Sequence, residues 1–170
     1  MKVIFFFNNQ RGLSVLNTLA KKKFLIKHIF LSKKNLNKKI FQKICAQKIP
    51  FSKVINVNSK KVESIIKKNK PDLNIVAGFP YIIKKKIYNI PKYGTINLHA
   101  GKLPEYRGGS PLNWQIINNE KKIGISIIKL TQKLDAGKII CSKKFDLKNN
   151  YDINKVHELS NKYFSLLTLN

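Results

Sequence analysis

Short apolar runs, each closed by turn residues and followed by a helical pattern, recur from the first residues of this chain and limit the folds open to it. Val3 to Phe7 is continuously apolar and stops at Asn8-Asn9, the pattern of a strand buried on both faces. After Arg11-Gly12, the residues Leu13, Leu16, Leu19 and Ala20 recur at helical spacing. Phe24 to Leu31 reads as a second strand, with Asn35 capping a helix whose inward stripe is Leu36, Ile40, Phe41 and Ile44. Phe51 to Val57 gives a third strand. A helix follows from Ser59 with Val62, Ile65 and Ile66 inside, and Pro71-Asp72 then introduces Leu73 to Ala77. Units of about thirty residues imply parallel strands joined by right-handed crossovers. The expected fold is therefore α/β, a Rossmann-like open, mostly parallel sheet with helices on both faces.

The functional edge of such a sheet lies beyond the carboxyl ends of its strands. Two loops fall there: Gly78-Phe79-Pro80-Tyr81, and the Gly/Pro-punctuated stretch that follows a strand from Thr95 to Leu98. Residues i and i+2 of a strand share a face, so Asn97 and His99 leave this strand side by side. Ser110 as N-cap and Pro111 at the first position start a helix with Leu112, Ile116 and Ile117 on its buried side. Ile123 to Leu130 and Lys138 to Phe145 are strand-like and are separated by a shaped loop, Thr131 to Gly137, that carries Asp135. Asp152 caps a last helix, with Ile153, Val156, Leu159, Tyr163, Phe164 and Leu167 inward.

A length of 170 residues fits one domain with a real core, and no second domain, repeat or low-complexity tail is visible. The formal charge of +26 invites a nucleic-acid reading. The excess is nearly all Lys, however, spread along the chain and accompanied by many Asn and Ile, which is the bias of an AT-rich coding sequence. Cys45 and Cys141 have no CxxC or Cys/His partner nearby, so no disulfide framework or metal site is indicated. No run approaches membrane-spanning length, and the apolar start is too short for a signal region, so the expected location is the cytoplasm.

Near the Asn97-His99 rim, the ionisable groups with an obvious catalytic use are His99 and Asp135. A carboxylate facing an imidazole fixes its orientation and takes up protons, while an amide and an imidazolium together stabilise a developing oxyanion. With no Ser or Cys nucleophile in the motif, the attacking group must come from the substrate. Taken alone, His99 also suits a capping or core position, Asn97 a strand-end cap, and Asp135 a simple turn before Gly137.

The set Asn97-Leu98-His99, Leu103-Pro104-Glu105-Tyr106-Arg107-Gly108, Pro111-Leu112-Asn113-Trp114 and Asp135-Ala136-Gly137-Lys138-Ile139-Ile140 resembles the folate-dependent formyltransferase family. The resemblance implies formyl transfer from 10-formyltetrahydrofolate to a primary amine, with no metal. Asn97, His99 and Asp135 would be catalytic, with the first two on the oxyanion and the third orienting and charging His99. Gly78, Phe79, Pro80, Tyr81, Ile82, Thr131, Leu134 and Ala136 would hold the pterin. Tyr106, Arg107 and Gly108 would meet the acceptor, Arg107 either gripping a phosphate or anchoring its own loop. Gly101-Lys102 departs from the family's usual pair before Leu-Pro.

Within that family, the Pro111 to Trp114 region is similar to nucleotide-sugar enzymes. The segment Leu31-Ser32-Lys33-Lys34-Asn35 lacks the longer basic loop of the tRNA enzymes. An amino sugar linked to a nucleotide is thus the expected acceptor, with methionyl-tRNA as the alternative and a homodimer open. The chain is expected to lack the C-terminal module of longer relatives. Two further classes stand beside the enzyme: a truncated folate-binding domain with little turnover, and a basic RNA-binding domain.

Overall fold

The computed structural model describes residues 1–22, 24–34 and 36–169. In chain order the elements are β1 (Lys2–Phe7), α1 (Gln10–Lys21), β2 (Leu25–Ser32), α2 (Lys38–Cys45), β3 (Phe51–Val54), α3 (Lys60–Asn69) and β4 (Leu73–Ala77). There follow α4 (Lys85–Tyr88), β5 (Thr95–His99), α5 (Pro111–Ile117), β6 (Lys122–Lys129), β7 (Ile139–Asp146) and α6 (Ile153–Leu167). The strands form one seven-stranded sheet in the order β3-β2-β1-β4-β5-β6-β7. Strands β1 to β5 pair in parallel, while β6 runs antiparallel to both of its neighbours.

β1 shows how the pleat divides the core. Val3, Phe5 and Phe7 face one layer and Ile4 and Phe6 the other, all with no exposed surface. On the first side lie Leu13, Leu16 and Leu19 of α1, Ile44 of α2, Leu112 of α5, and Val156 and Phe164 of α6. The second side holds Val62 and Ile66 of α3 with Ile87 and Tyr88 of α4. Each such side chain contributes about 1.5–3 kcal/mol on burial, so β1, apolar on both faces, stabilises both layers at once.

Several local expectations are corrected. The third strand stops at Val54 rather than Val57. Asn56 Oδ1 accepts the Asn58 amide at 2.9 Å, and this turn leaves Ile55 69% exposed. In α1, Ala20 faces solvent and Val15 is the buried residue. The proposed cap Asn35 lies outside the described residues; α2 is capped by Asn37, whose Oδ1 accepts the Ile40 amide at 3.2 Å. Ser110 does occupy the N-cap position of α5, but in a left-handed conformation (φ 50°) that caps no amide with its side chain. On that helix Ile117 is 62% exposed while Gln115 is fully buried. Gln115 accepts the Gly124 amide at 2.7 Å and donates to the Gly124 and Ala100 carbonyls at 3.2 and 3.4 Å. A polar side chain tying three backbone groups belongs inside. The cap Asp152 is as expected, accepting the Lys155 amide at 2.7 Å, and Ser59, where the third helix was expected to begin, caps it by accepting the Val62 amide at 3.4 Å.

From β1 the chain moves to β2 and β3 on one side, then returns to place β4 and β5 on the other. The crevice opens where that order reverses, beyond the ends of β1, β4 and β5.

Candidate active site

A cleft of about 420 Å³ occupies this switch point. Gly78 leaves β4 at φ 59°, and a side chain there would collide with the Asn9 side chain of the β1–α1 turn. The two loops can meet because position 78 is glycine. Gly78, Phe79, Pro80, Tyr81 and Ile82 then line one wall, with Phe79 packed edge-on against Phe6 and Tyr81 at ring-centre distances of 5.7 and 5.5 Å. Thr131, Leu134 and Asp135 come from the opposite loop, and Asn97, His99 and Gly108 complete the cleft.

The β6–β7 loop reaches this point by folding back over β5. It starts where the Leu130 amide donates to the Thr95 carbonyl at 2.8 Å, and it ends with the Lys129 amide on the Lys138 carbonyl at 2.9 Å. Between them Asp135 takes a left-handed conformation, φ 44°, which Asp tolerates better than most residues. Its carboxylate then gathers three groups. Oδ1 accepts from Asn97 Nδ2 at 3.2 Å, Oδ2 accepts the Gly108 amide at 3.0 Å, and Oδ2 lies 3.3 Å from His99 Nδ1. The His99 and Asp135 side chains are only 6% and 7% exposed. On its far side the imidazole Nε2 lies 2.6 Å from the Tyr106 carbonyl oxygen.

Three of the expected residues stand outside the cleft. Arg107 is exposed, and its Nε donates to the Asp135 carbonyl at 3.2 Å, tying together the two loops that flank His99. Tyr106 sends its hydroxyl to Glu120 Oε1 at 2.8 Å. Ala136 follows Asp135 but is not part of the cleft lining. Of the other histidines, His28 is buried against Ser52 Oγ at 3.0 Å, and burial lowers its pKa; His157 lies on α6.

One residue of the site was not anticipated. Arg11, at the start of α1, touches the cleft on one side and on the other a second cavity of about 800 Å³ between α1 and α6. Its Nη1 donates to the Leu98 carbonyl at 3.2 Å, between Asn97 and His99 in sequence, and its guanidinium lies 5.0 Å from the centre of the Phe164 ring. Burial pushes it down to about 10, still charged at neutral pH, and its Nε is buried without a partner. His157 lines the same cavity, and burial and the Arg11 charge both lower its pKa. The hint in the sequence was an Arg one residue ahead of a glycine, just after the turn that follows the first strand, on the rim where ligands bind.

The family model described as Formyl transferase matches residues 2–163, and the chain belongs to that family. It is 44% identical over 94 residues to the methionyl-tRNA formyltransferase of Clostridium beijerinckii, a match covering 55% of this chain and 30% of the relative. A longer match, 38% identical over 146 residues, is to the bifunctional polymyxin resistance protein ArnA of Wigglesworthia glossinidia brevipalpis, covering 82% of this chain and 22% of that one. The chain thus spans about a third or less of the length of these two curated relatives. In fold it is similar to phosphoribosylglycinamide formyltransferase from Bacillus halodurans, with a TM-score of 0.80 at 15% identity over 99% of this chain and 95% of that one. A sugar N-formyltransferase from a Shewanella species gives 0.78 at 24% identity, over 98% and 66%. Among the described residues no group of His, Cys, Asp and Glu is placed to hold a metal, and no helix is long and apolar enough to cross a membrane.

Proposed function

We propose that this chain transfers a formyl group from 10-formyltetrahydrofolate to a primary amine carried by a phosphate-bearing acceptor, a nucleotide-linked amino sugar. The observation that carries the reading is the Asp135 carboxylate, which holds Asn97 and His99 together at the base of a cleft. The folate supplies the activated formyl group. A flat ring with polar edges suits the cleft, because Val76, Ile83 and Leu130 give it apolar walls and two irregular loops bring backbone polar groups to it. Gly78 to Ile82, Thr131 and Leu134 would hold that ring.

Each catalytic residue has a separate task. Asn97 spends one amide proton on Asp135 and has a second for an oxygen on which charge develops. His99 Nδ1 is the less firmly engaged ring nitrogen, at 3.3 Å against 2.6 Å for Nε2, so in the charged ring the proton there is available to the same oxygen. Asp135 orients both donors and is the base within reach for the proton that the amine sheds, directly or through one water. Arg11 supports the anionic acceptor: a half-buried guanidinium that lines both the cleft and the second cavity suits a phosphate oxygen.

Similarity to methionyl-tRNA formyltransferases favours a second reading, charged initiator tRNA as the acceptor. Formyl-transfer assays with nucleotide amino sugars and with methionyl-tRNA decide between them. Product on a sugar supports the main reading, and product on tRNA alone replaces it.

A further inference from the structure

The loop between His99 and α5 holds its catalytic neighbour from the side facing away from the cleft. We propose that Tyr106, anchored by Glu120, is a positioning residue that fixes the proton of His99 on Nε2 and leaves Nδ1 as the nitrogen that gains and loses a proton toward Asp135. The inference rests on the formyl-transfer reading for its kinetic consequence, and on geometry alone for the state of the ring.

Both partners of the ring are acceptors, and the 2.6 Å contact to the Tyr106 carbonyl, against 3.3 Å to Asp135, gives Nε2 first claim on the hydrogen of a neutral ring. A neutral imidazole has one N–H, and with Nε2 committed the change of charge falls on Nδ1, 3.3 Å from Asp135. Gly101 makes this contact possible. A side chain there would run into the Tyr106 carbonyl and come within 2.5 Å of His99 Nε2, so the carbonyl occupies the space a Cβ would need.

The loop is then fastened at points remote from the cleft. Ser126 Oγ donates to the Gly101 carbonyl at 2.9 Å, and the Tyr106 amide donates to the Lys102 carbonyl at 2.9 Å, closing a tight turn. The Tyr106 hydroxyl donates to Glu120 at 2.8 Å and accepts from Asn118 Nδ2 at 3.2 Å; Lys102 Nζ lies 3.7 Å from the same Glu120 carboxylate. Tyr106 therefore meets the site through its backbone, while its side chain, tied to the turn after α5, sets where that backbone sits.

The test is 15N NMR of histidine-labelled protein, with His99 assigned by comparison with His99→Gln, alongside steady-state kinetics on Tyr106→Phe, Glu120→Gln and Gly101→Ala. The expected wild-type ring shows a protonated Nε2 at every pH and a shift confined to Nδ1. Tyr106→Phe is expected to mix the tautomers and to lower kcat roughly ten- to hundredfold with both KM values within about twofold, the scale of a small misplacement of a catalytic group. Glu120→Gln, which still offers an acceptor, is expected to stay near wild type. Gly101→Ala is expected to lose the Nε2 preference altogether. A wild-type ring protonated on Nδ1 when neutral would overturn the inference, as would a Tyr106→Phe ring and kcat indistinguishable from wild type. The NMR needs no substrate, so a fixed tautomer in a protein that transfers no formyl group would sink the proposed function and leave the positioning role standing.

Discussion

His99 and Asp135 meet at 3.3 Å with both side chains almost fully out of solvent, although one ends a strand and the other sits in a hairpin loop. Replacing Asp135 by Asn keeps the shape and removes the charge and the base. The expected result is a loss of about 10²- to 10⁴-fold in kcat/KM for formyl transfer, with far-UV circular dichroism unchanged. Loss of less than about tenfold would remove Asp135 from the chemistry.

Arg11 touches both cavities, yet its predicted effect falls on one substrate only. A lost charge-assisted hydrogen bond is worth about 1.5–3 kcal/mol, so Arg11→Gln should raise the acceptor KM by roughly ten- to hundredfold and leave the folate KM unchanged. Saturation kinetics with each substrate varied in turn checks this. An equal rise in both would mean that Arg11 shapes the whole rim rather than the acceptor side.

Stability should fall with acid through the buried His28. Burial lowers its pKa from 6.5 in the folded chain, so below about pH 6.5 the unfolded chain binds more protons and the fold loses stability as pH drops toward the folded value. His157 is shifted in the same direction but is exposed to solvent, so its share is the smaller. His28→Gln keeps a polar partner for Ser52 but removes one of these contributions. Its melting temperature should therefore drop less than that of the wild type between about pH 7.5 and pH 5.5.

Two glycines of the loops around the candidate site should respond very differently to alanine. At Gly137 a Cβ would lie against the Lys129 carbonyl of β6, whereas at Gly109 nothing stands within 4 Å. Urea unfolding should show Gly137→Ala destabilised by about 1–3 kcal/mol, the range for overpacking, and Gly109→Ala within about 0.5 kcal/mol of wild type. Similar values for both would contradict the packing described for the hairpin.

Strand and helix order was legible because apolar runs and 3.6-residue stripes record which faces are buried. Asn97 and His99 were legible as neighbours because a strand has a period of two. The position of Asp135 beside them was not, since nothing local says that the hairpin folds back over β5; its place in the motif pointed there instead. Stripe arguments failed where polar residues are buried. Gln115 took the inner position that Ile117 was expected to hold, because it serves the backbone of Ala100 and Gly124. Ser160 and Asn161 are likewise buried on α6. Arg11 escaped notice because its partners, Leu98 and Phe164, come from β5 and α6, far along the chain.

The most direct test is to supply 10-formyltetrahydrofolate with a panel of nucleotide amino sugars and charged initiator tRNA, and to follow N-formyl product together with tetrahydrofolate release for wild type and His99→Ala. The account predicts matched product and tetrahydrofolate from the wild type on a sugar acceptor, and at least about a hundredfold less from the variant. Equal rates in the two proteins, or no formyl transfer to any amine by a folded wild type, would contradict it.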